Sequence, residues 1–219
     1  MRIQITFSKQ GALRYTGHLD LHKLWERAAR RAELPLAYSQ GFHPQPKMNL
    51  ASALPLGFSS LCEVLDMRLE RDIALDGLPE RLNDTLPSGI QVLHVGQVDE
   101  RAPALQTQVL SAEYEVRMIE STFGAELKRR IESALESDSI VRTRRGKPYD
   151  LRPLIEALAV GDDKIVMRLA AREGATGRPE EVLDVLGIAF EETRIERTRL
   201  IFNAAKACPE GEARRIEPS

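Results

Sequence analysis

Two segments of this chain carry the side chains best suited to gripping phosphate. The first, VRTRRGKPYDLR (residues 141–152), sets Arg142, Arg144, Arg145, Lys147 and Arg152 against a single acid, Asp150. Planar guanidinium forks match phosphate oxygens two at a time, which the point charge of lysine does not. The second, GFHPQPKMNLASALPLG (41–57), has three prolines, two glycines, His43 and Lys47, and no carboxylate. A residue before proline is driven to extended backbone, so His43 and Gln45 are expected in polyproline-like geometry and the loop orders at little entropic cost. Gly41 and Gly57 allow backbone to come close to a ligand. The phosphate-gripping set expected from this pattern is Arg14, His18, Lys47, Arg142, Arg144, Arg145, Lys147, Arg152 and Arg178. The stiff loop supplies Gln40, Gly41, Phe42, His43, Pro44, Pro46 and Gly57. Arg178 precedes a helix whose first amides would suit an anion. The bland alternatives are a proline-protected sheet edge for the loop and a solvated charged hairpin for the arginines.

Other chemistry is sparsely provided for. His18 and His22 stand four apart in GHLDLH, the spacing of two helical metal ligands, but apart from His43 no third ligand has a natural position, so no metal is expected. His18 as a general acid–base in RNA cleavage has no visible partner. Asp150 among arginines is what a uridine isomerase of pseudouridine-synthase type would use, and its competing reading is a carboxylate that caps a local turn. Cys62 and Cys208 are isolated, which suits reduced structural cysteines rather than a disulfide framework or a metal cluster. No cofactor is expected.

Charge is unevenly placed along the 219 residues. Residues 1–50 hold eight Lys/Arg against three Asp/Glu together with three of the four histidines, whereas residues 51–110 hold four against nine. The net charge of −2 therefore conceals a basic N-terminal stretch, a pattern that points to a polyanionic partner. No apolar run approaches the ~18 residues of a membrane span, and MRIQITFSKQ lacks a signal-peptide core, so a cytoplasmic protein without a membrane partner is expected.

Periodicity supplies the frame. Residues 2–8 alternate as a strand, and Leu21, Leu24, Trp25, Ala28 and Ala32 mark a helix over 19–33 that Pro35 stops. A short strand at LAYS, a strand at 63–70, a helix at 78–86 and a strand at 90–98 complete one set. A second set follows: strand 112–119, helix 124–136, strands 139–144 and 164–171, helix 178–187, strand 194–202. Two βαββαβ series predict an α+β protein of two tandem ferredoxin-like units, 1–98 and 112–203, joined by a linker at 99–111 and followed by a flexible tail at 204–219. Both basic segments would then follow the second strand of their unit and meet in one groove. Aromatic content of 5% and strands without aromatics argue against base stacking on the sheet face, leaving recognition by shape and backbone charge.

GHLDL (17–21), LPLAYSQGFHPQPKM (34–48), LPLG (54–57), DLRPLI (150–155) and GRPEEVLDVLG (177–187) together resemble the radical SAM-linked bacterial family over Arg2–Phe202. His18 and Asp20 fit that family's pattern; His22 departs from it, as does His43, where asparagine is common. The resemblance implies work on tRNA or rRNA beside a radical SAM protein. The chain lacks the three-cysteine motif that would hold the iron–sulfur cluster, so the implied role is RNA-binding module or protein–protein adaptor.

Overall fold

The fold is described from a computed structural model, which covers residues 1–120, 123–124, 126–161 and 163–203. The expected tail at 204–219 and Cys208 lie outside the described residues.

The chain runs β1 (Arg2–Lys9), α1 (His18–Arg31), β2 (Met48–Leu50), β3 (Ser59–Arg68), α2 (Leu78–Asn83), β4 (Ile90–Val98), β5 (Val109–Met118), α3 (Glu126–Glu136), β6 (Val141–Arg144), β7 (Lys147–Asp150), β8 (Ile155–Val160), β9 (Ile165–Arg172), β10 (Ala175–Thr176), α4 (Pro179–Val185) and β11 (Thr193–Phe202). It is a mixed α/β protein whose nine-stranded, mostly antiparallel sheet has the order β10-β9-β5-β11-β3-β1-β4, with β2 beside β3 and β8 beside β9. The order β4-β1-β3-β2 in the N-terminal half is repeated as β11-β5-β9-β8 in the C-terminal half, every pair antiparallel. Only the seam is parallel, where Glu196 and Arg197 of β11 face Ser59 and Ser60 of β3.

Burial explains the elements. In β1 the residues Ile3, Ile5 and Phe7 alternate into a core that Leu65, Met67 and Leu82 share. α1 buries Leu21, Trp25, Ala28 and Ala29, a helical stripe, and Trp25 meets Phe7 edge-on at 4.8 Å. The helix ends with Glu33 in the left-handed region, and Leu34 N–H returns to Ala29 O. A second core gathers Tyr114, Val116, Leu127, Ile131, Ile165, Met167 and Leu183. Between the two cores Arg197 and Glu63 pair at 3.0 Å with about 1% and 2% of their side chains exposed. Lys9 lies in the same layer, donating to Thr16 O at 3.1 Å, and burial lowers its pKa.

Three expectations are corrected. The second strand of the C-terminal half is β8, not 139–144; β6 pairs only with β7, in a separate two-stranded hairpin inserted between α3 and β8. Arg145 and Gly146 at its tip both have positive φ (53° and 75°), the two-residue turn whose twist matches a hairpin. LAYS is not a strand but one arm of a loop, held by single bridges Leu36↔Leu69 and Tyr38↔Pro46 before β2 begins at Met48. Prolines 35 and 46 remove the donors a longer ladder would need. Consequently the hairpin at 141–152 precedes the second strand of its half, β8, and the segment 41–57 contains the second strand of its own, β2, with Lys47 just before it. The stretch expected as a linker contains a turn of 3-10 helix at Leu105–Gln108, and its carbonyls at Ala102 and Pro103 accept from Arg2 at 2.6 and 3.0 Å.

Candidate nucleic-acid interface

The proline-rich loop lies along α1. His22 places Nε2 3.2 Å from Met48 O; since a carbonyl only accepts, that nitrogen carries the proton. Near the other end of the helix Arg30 donates to the Tyr38 hydroxyl at 3.2 Å and pairs with Glu26 one turn earlier. The loop closes on itself through Ser39 N–H to Gln45 O at 2.8 Å and Gln45 N–H to the Ser39 hydroxyl at 2.9 Å. Lys47 is exposed on a backbone held from both sides, by Ala37 O at 2.8 Å and Arg68 N–H at 3.0 Å. Gln40, Gly41, His43 and Pro44 are exposed around the tip, Phe42 is fully so, and Pro46 is buried at the base.

The return of the segment reaches the start of α1. Gly57 N–H donates to Arg14 O at 2.9 Å, and a Cβ on Gly57, whose φ is 86°, would stand 3.9 Å from Tyr15 and 3.7 Å from Phe190. The Arg14 guanidinium lies 4.8 Å from the Tyr15 ring centroid, and its buried Nε has no hydrogen-bond partner among the described residues. His18 is exposed as the first residue of α1, capped by Gly17 without a side-chain bond. The motifs at 17–21, 34–48 and 54–57 thus converge on one helix.

The C-terminal arginines are used differently. Arg144 forms a forked pair with Glu181 of α4 at 2.5 and 3.2 Å, donates to Thr176 O at 2.9 Å and lies 4.6 Å over the Tyr149 ring. Burial, and then a bond with Glu181, pushes the Tyr149 phenol up to about 12. Arg142 pairs with Asp184 on the same helix. Arg152 donates twice to Leu135 O, at 2.7 and 3.1 Å, closing the last turn of α3. Asp150 Oδ1 accepts from Ile140 N–H at 2.8 Å and Arg152 N–H at 3.0 Å, the work of a turn-capping carboxylate. Those backbone bonds, Ile140 first, hold its pKa below the ordinary carboxylate value. Arg178 is exposed, but α4 is only seven residues long and already carries Glu180 and Glu181 in its first turn, so its N-terminus offers nothing to an anion. Arg145 and Lys147 remain exposed at the hairpin tip. Of the expected C-terminal grip, then, Arg142, Arg144 and Arg152 are engaged within the protein.

The strands nearest the two basic segments, β2 and β8, are not neighbours in the sheet. β2 shares with β11 the side of β3 away from β1, so β5 and β9 separate it from β8, about 15 Å at ~4.8 Å per strand.

Sequence reasoning passed over the outer face of α1. Lys23, Arg27 and Arg31, four residues apart, form one exposed ridge opposite Leu21, Trp25 and Ala28. Among the described residues no carboxylate lies within 4.0 Å of any of the three, nor of Lys47. The signal was present in KLWERAARR, whose apolar face was read while the charge on its other face was not. Cys62, by contrast, offers no nucleophile: burial pushes its thiol up to about 12. Among the described residues no helix is long and apolar enough to cross a membrane.

No curated protein matches the chain. Among solved structures it is similar to the "Crystal Structure of a Cbf5-Nop10-Gar1 Complex", at 12% identity and a TM-score of 0.44, over 90% of this chain and 48% of that one. The chain therefore spans about half the length of the chain it resembles there. A family model described as "Uncharacterized protein conserved in bacteria (DUF2344)" matches residues 2–179, most of the sequence, and the chain belongs to that family.

Proposed function

We propose that this protein is an RNA-binding module, built from two consecutive ferredoxin-like units, that grips phosphates along α1 and the adjoining proline-rich loop. The repeated strand order in the two halves supports the tandem reading. The observation that carries the function is the ridge of Lys23, Arg27 and Arg31, three exposed cations that meet no carboxylate among the described residues, on the helix beside an acid-free loop. A solvated helix face of ordinary composition intersperses both signs. The likeness to the radical SAM-linked family supports tRNA or rRNA as the ligand and a radical SAM protein as the enzyme served. Asp150, occupied with two backbone amides, is given no catalytic part.

The adaptor reading has one observation in its favour: Leu19 and Leu56, 74% and 60% exposed, stand at the same end of α1. Salt separates the two. Affinity for total tRNA or rRNA fragments, measured by fluorescence anisotropy between ~50 and ~200 mM salt, should fall steeply, as release of counterions from several phosphates requires. Replacing Lys23, Arg27 and Arg31 together by alanine should reduce the slope of log affinity against log salt by about 2 to 3, at ~0.7–0.9 per lost contact, without changing the melting temperature appreciably. Absent or salt-independent binding would overturn the proposal and leave the adaptor, to be sought by pulldown with the radical SAM partner.

A further inference from the structure

Phe42 is 102% exposed at the tip of an otherwise ordered loop, and Tyr15 is 62% exposed at the other end of α1. Burying a phenylalanine ring is strongly favourable, and here the fold leaves the ring wholly in solvent. Nothing in the loop requires that side chain for closure: the bonds between Ser39 and Gln45 and the bridge at Tyr38 and Pro46 hold the stalk, and Gly41, with φ of 127°, makes the bend. Tyr15 is presented in a different way, one face of its ring taken by the Arg14 guanidinium and its backbone fixed beside Gly57. Along the chain, the helix that carries the ridge lies between these two aromatics. α1 is about 21 Å long at 1.5 Å per residue, with its cations about 6 Å apart. Tyr15 precedes the helix by three residues. Tyr38, tied to Arg30 in the last full turn, is four residues from Phe42, within about 14 Å of extended chain.

We infer, on the footing of the RNA-binding reading above, that the RNA form this surface takes is single-stranded, its bases stacking on Phe42 and Tyr15 while Lys23, Arg27 and Arg31 hold the phosphates between them. A duplex keeps its base faces against one another and offers an exposed ring nothing to stack on except at its ends. An unpaired strand presents a face with every base, and a ring paired with an arginine, as Tyr15 is with Arg14, is a stacking platform that tolerates any sequence. The low aromatic content told against stacking on the sheet face; the two rings concerned lie instead on the connections that flank α1.

The test compares a single strand of about twelve nucleotides with a blunt duplex carrying the same number of phosphates, in the full chain at one salt concentration. The single strand should bind at least about tenfold more tightly. Phe42→Ala and Tyr15→Leu should each weaken it by about five- to hundredfold, the span of one lost base stack, with the salt slope and the duplex affinity unchanged. Phe42→Trp should restore binding. Because Phe42 is fully exposed, its removal leaves the fold intact, and a melting temperature equal to wild type checks this. Equal affinity for both forms, or indifference of the single strand to Phe42→Ala, would overturn the inference while leaving salt-dependent RNA binding in place. Absence of binding to any RNA would remove both.

Discussion

The two halves of the molecule put an acid-poor connection at the same point, between first helix and second strand, and differ in how their arginines are used, although Arg145 and Lys147 at the tip of the C-terminal hairpin stay as exposed as Lys47. In the N-terminal half Lys47 and the ridge on α1 meet no carboxylate among the described residues. In the C-terminal half Arg142 and Arg144 are claimed by Asp184 and Glu181, and Arg152 by the carbonyl end of α3. A cluster of arginines in sequence is therefore not a basic surface. What decides is whether the helix packed against it brings acids to the contact. α4 does, through EEVLD; α1 turns Lys23, Arg27 and Arg31 outward.

The largest effect expected from testing this contrast lies at the seam, where an arginine pair is buried completely. Glu63→Ala leaves Arg197 charged and without its carboxylate between the two cores and should cost about 3–5 kcal/mol, read as a lowered urea midpoint. Replacing both partners by leucine and methionine should recover most of that loss. If Glu63→Ala is tolerated, burial does not grade these pairs as proposed. Next comes the hairpin itself. Arg144→Ala should cost about 1 kcal/mol of stability, with a double-mutant coupling to Glu181 of similar size, and change RNA affinity less than about twofold. Lys47→Ala should do the reverse: stability within about 0.5 kcal/mol of wild type and RNA affinity lowered severalfold. An Arg144 variant that lost RNA and kept its stability would invert the comparison between the two connections.

Much of the frame was legible in the sequence. β1, α1, β3, α2, β4, β5, α3, β9, α4 and β11 all fall where periodicity put them, because their sequences alternate at 2 or 3.6 residues, even in β3, which is buried on both faces at 63–67. β8 was missed for a physical reason: a register shift between Ile155 and Ala157 breaks its alternation, so IEALAV buries Ile155 and Leu158 with helix-like spacing. β6 was read as a strand, and is one, but strand propensity does not say which neighbour supplies the ladder. The same limit governs the site. That Arg144 meets Glu181, thirty-seven residues on, is a fact of tertiary packing invisible to local composition. The ridge at Lys23, Arg27 and Arg31 was visible, since four-residue spacing on a helix is local information.

Asp150 gives the smallest expected effect and the cleanest sign. Its carboxylate accepts from Ile140 and Arg152 amides, which hold its pKa below the ordinary value near 4. A carboxyl whose folded pKa is depressed adds stability that is present above the unfolded value and is lost as pH falls through the folded one. Asp150→Asn keeps an oxygen that can accept both bonds but removes the charge. The variant should therefore melt slightly below wild type near pH 7, and the gap should close on acidification from about pH 4 downward. A gap unchanged down to about pH 2 would mean that shape, not charge, fixes this turn. Because Asp150 joins the residue before β6 to the second residue after β7, the measurement also reports how firmly the hairpin that carries Arg144 is held at its base.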